Sequence, residues 1–116
     1  MRSAEADMAE FEDFLKLDIR VGTIISAQVL DKAKKPAYKL MVDFGPEIGV
    51  KNSSAQITEC YSAEELAGKQ VLGVVNFPPR RVAGFVSEVL VLGIYAEQGV
   101  VLIQPQKPVR NGDKLG

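Results

Sequence analysis

The chain has no histidine, no tryptophan and a single cysteine, Cys60, among its 116 residues. A lone thiol forms no internal disulfide, and with no imidazole available it lacks the usual base of a cysteine nucleophile. Zinc sites of the Cys/His kinds need more such donors than the chain has, so no metal and no other cofactor is expected. Cys60 then reads as an ordinary core or surface residue of a cytoplasmic protein.

An excess of one charge is missing too: 14 Lys and Arg stand against 15 Asp and Glu, a net charge of −1. The field of the whole molecule will not draw in phosphates, so nucleic-acid binding would have to come from a local patch. No stretch approaches the roughly 20 uninterrupted apolar residues of a membrane span, which argues against membrane insertion. Gly-rich phosphate loops are absent, and the adjacent Glu64 and Glu65 stand beside no other reactive group, so an enzyme is not expected. The opening "MRSAEADMAE" is polar and acidic, unlike a secretory signal. Residues 1–9 are expected to fray and 10–116 to form a single domain, large enough to fold around its own core.

What is present is mostly strand. After a short amphipathic stretch at residues 10–17, with Phe11, Phe14 and Leu15 at helical spacing, the period changes to two. Ile19, Val21, Thr23, Ile25, Ala27 and Val29 alternate with Arg20, Gly22 and their successors, as a long strand requires, and Gly22 suggests a bend or bulge. A second strand is expected at 38–44, a third at 49–57 and a fourth at 69–77. Residues 88–95, "EVLVLGIY", suit a fifth strand buried on both faces, followed by a hairpin-like return and a Pro-rich tail. Between strands three and four, Ser62 and Glu65 have capping-box spacing and Gly68 is placed to stop a helix of about two turns. That order predicts an all-β, five-stranded OB-fold barrel with a short helix between strands 3 and 4 and terminal extensions. A small all-β sandwich is the alternative.

The segment "NFPPRRVAGF", residues 76–85, interrupts this regularity. Pro78 and Pro79 remove two backbone donors, so the segment leaves the central sheet and passes along its rim. Phe77 either lines a groove there or continues the core pattern of Val71, Gly73 and Val75. Arg80 and Arg81 either flank that groove or form a solvated turn. The loop "DKAKKPAYK" gathers Lys32, Lys34, Lys35 and Lys39 beside Tyr38, which is either a nucleic-acid contact or a charged hairpin tip.

"LDIRVGTI", "YKLMVDFG", "SSAQIT", "LAGKQVLGVVNFPPRRVAGFVSEVLVLG" and "VLIQPQKPVRNGDKL" together resemble the bacterial protein-export chaperones of the tRNA-binding-domain superfamily. The superfamily also holds structure-specific tRNA-binding proteins and domains appended to some aminoacyl-tRNA synthetases. The resemblance runs from Phe11 to Leu115. It implies a non-catalytic, homodimeric OB-fold protein that binds unfolded or presecretory polypeptides alongside the SecA export motor. For the wider superfamily it implies tRNA binding at the tRNA's outer corner. The tRNA-binding relatives carry a pattern near Asn-Leu-Lys-Pro-Arg-Lys-Met-x-Gly followed by Ser-x-Gly-Met. This chain keeps Asn76, Pro79, Arg80, Gly84 and Ser87, places Arg81 for the Lys, and departs at Phe77, Pro78, Val82, Val89 and Leu90.

Two sets of site residues follow. A polypeptide site would use Phe77, Pro78, Arg80, Arg81 and Phe85, because rigid apolar surface binds an extended chain at low ordering cost and guanidinium groups bond its carbonyls. A tRNA site would use Lys39, Lys51, Arg80, Arg81 and Ser87. Strand five is apolar on both faces, so Phe11, Phe14, Leu15, Leu90 and Leu92 are expected at a twofold dimer interface.

Overall fold

Eleven residues form the longest strand, buried along its first half at Ile19, Val21, Gly22 and Ile24, and the fold is wound around it. The computed structural model describes residues 7–116, so most of the segment expected to fray lies outside the described residues. In chain order the elements are α1 (Phe11–Leu15), β1 (Ile19–Val29), β2 (Tyr38–Asp43), β3 (Val50–Ala55), α2 (Ala63–Leu66) and β4 (Gln70–Val74). Then follow β5 (Arg80–Val82), β6 (Phe85–Ser87), β7 (Leu90–Val91), β8 (Gly93–Ala96) and β9 (Gly99–Leu102).

β1 serves two neighbours: its first half pairs with β4 and its second half with β2, both antiparallel. With β3 on β2 and β7 on β4, the sheet order is β3-β2-β1-β4-β7. The sheet curls until β3 meets the β6–β7 segment, which makes the nearly closed five-stranded OB-type barrel expected from the sequence. Tyr38, Leu40 and Val42 point inward along β2, and Phe44, Ile24, Leu66 and Val71 complete a core whose members are almost wholly buried. Burying each such side chain is worth about 1.5–3 kcal/mol.

Gly22 has a different reason from the expected bend. The register shift of β1 lies between Ile24 and Ser26. Gly22 is instead covered by Phe44: a Cβ there would lie 2.6 Å from Val42 Cγ1 and 2.8 Å from Phe44 Cδ1. Gly73 on β4 receives the tip of the same ring, with Phe44 Cζ 3.0 Å from where its Cβ would be.

The capping box of α2 is present, with Ser62 N–H donating to Glu65 Oε1 at 2.7 Å, and Gly68 follows at φ +92°. The helix is one turn rather than two, yet Leu66 plugs the barrel end completely.

The expected fifth strand divides. Leu92 still donates its N–H to Leu72 O, but from Gly93 the chain leaves the barrel and pairs with β9 as a separate hairpin. The packing at Gly93 makes this possible, since a Cβ there would lie 2.5 Å from Val100 Cγ1. Consequently Ile94 and Tyr95 are exposed rather than buried. Tyr61 fastens the hairpin to the barrel by accepting the Leu102 N–H at 3.0 Å, and its own carbonyl accepts the Tyr38 hydroxyl at 2.8 Å.

The tail, residues 109–115, runs along the part of β1 that β2 does not reach. Val21 N–H donates to Asp113 O, Gly112 N–H to Val21 O and Leu115 N–H to Ile19 O, at 2.7–2.9 Å. Thr23 Oγ1 donates to Asn111 Oδ1 at 2.7 Å, and the Gln70 side chain holds both the carbonyl and the N–H of Val109. Arg20 donates to Gly112 O and pairs with Asp18, whose hydrogen bond raises the guanidinium above its ordinary pKa against the opposing effect of burial.

Candidate functional site

Barrel closure leaves a groove beside the seam. Near Asn52 the seam is shut: Glu88 N–H donates to Asn52 O at 2.8 Å, and Asn52 N–H to Glu88 Oε1 at 3.0 Å. Ser54 N–H then donates to Ser87 Oγ at 3.0 Å, and Ser53 Oγ to Val89 O at 3.0 Å. Past these bonds the end of β3 and the strand β7 diverge, and a groove of about 760 Å³ opens between them.

Its floor and walls are aliphatic: Ala55 and Ile57 from the β3 side, Leu90 and Leu92 from the β7 side, and Val100 and Leu102 from β9. Its rim carries Lys32, Lys34 and Lys35 from the β1–β2 loop and Arg80 from β5, with no carboxylate among the described lining residues. None of these four cations is in a salt bridge within the described residues. The loop is held by Leu30 N–H donating to Ala37 O at 3.0 Å, with Lys32 at φ +68° turning the chain. Arg80 is placed by the β5–β6 hairpin, whose two central residues Ala83 and Gly84 sit at φ +51° and +80°, the signs that a type I′ turn requires.

Of the polypeptide-site residues expected from sequence, Arg80 alone lines this groove. Phe77 is 42% exposed, which settles it as surface rather than core. Pro78 and Arg81 are exposed beside it on the rim segment, and Phe85 is half-buried opposite Val82. Among the tRNA-site residues, Lys39 lies half-buried on β2 opposite Ser54, and Lys51 stands 4.0 Å from Glu88. Ser87 is only 6% exposed, and its hydroxyl is engaged by Ser54 and Val89 in the seam. Leu90 and Leu92 belong to the groove wall, whereas Phe11 and Leu15 are exposed on α1 with Phe14 stacked on Phe11, ring centroids 6.3 Å apart.

Ile57, Val100 and Leu102 carried no sequence signal for a site, because an aliphatic residue in a strand-like pattern looks the same whether it faces a core or a groove. Among the described residues no group of three or more His, Cys, Asp or Glu is arranged to hold a metal, and no helix is long and apolar enough to cross a membrane.

Residues 19–114 match the family model described as "Putative tRNA binding domain". The chain belongs to the tRNA-binding domain family. Within the family it is similar to the crystal structure of the chaperone CsaA from Bacillus anthracis, with 55% identity, a TM-score of 0.87, and coverage of 94% of this chain and 99% of that one. CsaA of Picrophilus torridus is 50% identical with a TM-score of 0.90, covering 94% of this chain and 100% of that one. The methionine–tRNA ligase of Methanococcoides burtonii is 41% identical over 107 residues, which are 91% of this chain. This tRNA-binding domain spans only 15% of that ligase's length.

Proposed function

We propose that this chain is a non-catalytic chaperone that holds unfolded or presecretory polypeptides in the groove between β3 and β7. The observation that carries this reading is the lining: an aliphatic floor open to solvent, which suits apolar side chains of a non-native chain and offers no titratable pair for chemistry. Phe77, Pro78, Arg81 and Phe85 on the adjoining rim extend the contact surface for a client longer than the groove. Binding of this kind acts by mass action on non-native chains and needs no nucleotide. The likeness to CsaA, at 50–55% identity over almost the whole chain, supports the same assignment. As part of this reading the protein is a cytoplasmic homodimer, joined through the exposed α1 face of Phe11, Phe14 and Leu15, and it delivers clients to the SecA export motor.

A second reading, tRNA binding, rests on the cationic rim of Lys32, Lys34, Lys35 and Arg80 together with Lys39 and Arg81. The family membership and the likeness to a methionine–tRNA ligase domain favour it. The two readings separate by salt. RNA affinity falls steeply between roughly 50 and 200 mM salt, whereas apolar peptide binding changes little. Fluorescence anisotropy of an unfolded-client peptide and of bulk tRNA, each at both salt concentrations, tests them. Peptide binding that persists at the higher salt is the expected result. Salt-sensitive tRNA binding with no peptide binding would overturn it. Co-sedimentation with purified SecA tests the export partner.

A further inference from the structure

The groove has a polar edge as well as an apolar floor. Along β3 the backbone groups of Asn52 and Ser54 point away from β2, and they are used at the seam by Glu88 and Ser87. Gln56, the first residue past the end of β3, is exposed and lines the groove. No backbone hydrogen bond crosses the seam beyond Ser54 among the described residues. Across the groove Leu92 gives its N–H to β4, so the backbone of its neighbour Val91 turns toward the open side. Backbone left unpaired where a strand ends, over an aliphatic floor, can pair with an extended segment laid beside it.

Charge then selects among strands. The rim presents Lys32, Lys34, Lys35 and Arg80 with no opposing carboxylate, and a second copy docked here on a twofold axis would set these cations against themselves. Stacked nucleic-acid bases are poorly served, because the floor is aliphatic and Tyr95 at the rim is its one aromatic side chain among the described residues. A signal sequence brings a positive n-region to the same rim and meets like charge.

Resting on the chaperone reading above, we propose that the groove selects extended polypeptide segments in which an apolar run is flanked by carboxylates. It holds them extended alongside Gln56, in line with the end of β3. Clients are thereby recognised through the mature part of the chain rather than through the basic start of a signal.

The test uses the full chain and labelled peptides sharing one apolar core, flanked by Glu, by Gln or by Lys. Anisotropy is expected to rank Glu above Gln above Lys, with about tenfold between the extremes at low salt and less at high salt, as a few exposed ion pairs supply. The double variant Lys34→Glu/Lys35→Glu, confined to an exposed loop, leaves the rim with two charges of each sign and is expected to remove the ranking. Backbone N-methylation of alternate residues in the Glu peptide is expected to abolish binding for one alternation and spare the other. Equal binding of all three peptides would leave the chaperone reading standing and overturn the selection. Binding of none, with tRNA bound and lost in the Lys34→Glu/Lys35→Glu variant, would overturn both and make the groove an RNA site. A change of sedimentation mass caused by Leu92→Gln, without loss of the unfolding transition, would show a self-interface and overturn the proposal.

Discussion

Ser54 gives its backbone N–H to the Ser87 hydroxyl at 3.0 Å, so a side chain stands in for a strand in the seam that closes the barrel. The hydroxyl is buried, and removing it leaves the half-buried Ser54 N–H at the head of the groove without that partner. Ser87→Ala is therefore expected to destabilise the fold by about 1–3 kcal/mol, read as a lower urea midpoint at unchanged slope. If tRNA contact were the main role of Ser87, the same variant would lose RNA affinity at unchanged stability.

Phe44 rests on the bare backbone of Gly22 and Gly73. Gly22→Ala inserts a methyl into occupied space and is expected to cost about 1–3 kcal/mol. Combining it with Phe44→Leu should cost less than the two single changes added together, a coupling that a double-mutant cycle in chemical denaturation measures.

Ala83 occupies the first central position of the type I′ turn in a left-handed conformation that its methyl group disfavours. Ala83→Asn is expected to stabilise the hairpin by about 0.5–1 kcal/mol, visible as a raised melting temperature. Peptide affinity should stay the same, because the fold already places Arg80 correctly.

Asn76 clamps the start of the barrel to α1: its Oδ1 accepts the Asp18 N–H at 2.9 Å and its Nδ2 donates to Lys16 O at 2.8 Å. Asn76→Ala is expected to loosen α1 at a cost of about 1–2 kcal/mol. If the α1 face joins two copies, the dimer should dissociate at higher protein concentration in that variant, as sedimentation equilibrium would record.

For RNA, each rim cation contributes to the salt slope. Lys34→Gln and Arg80→Gln are each expected to reduce the slope of log affinity against log salt by about 1. An unchanged slope would place the RNA contacts elsewhere, with Lys39 and Arg81 the next residues to change.

The barrel was legible because its signals are local. Alternation from Ile19 marks β1, and Ser62, Glu65 and Gly68 mark α2 at both ends. The division at Gly93 was not, since "EVLVLGIY" has the same composition whether it stays in the barrel or swings out against Val100. The groove was less legible still. Lys34, Ile57, Arg80, Leu92 and Leu102 come from five separate segments, and only the unfinished seam brings them together. The motif residues Phe77 and Arg81 drew attention because they are unusual in a strand pattern, whereas the groove floor is built from residues that are ordinary in one.

The docked tail has a consequence for how the protein avoids its own kind. Arg20 and Gly112, joined by a hydrogen bond, are 92 positions apart, so this closure is a long-range step of the sort that forms slowly. Until it forms, the stretch of β1 around Val21 is a bare template with a row of free donors and acceptors, able to pair with the same stretch of another molecule. A chain whose proposed work is to keep other polypeptides from pairing wrongly thus covers its own exposed strand with a built-in segment, leaving the backbone near Gln56 as the place where pairing is offered.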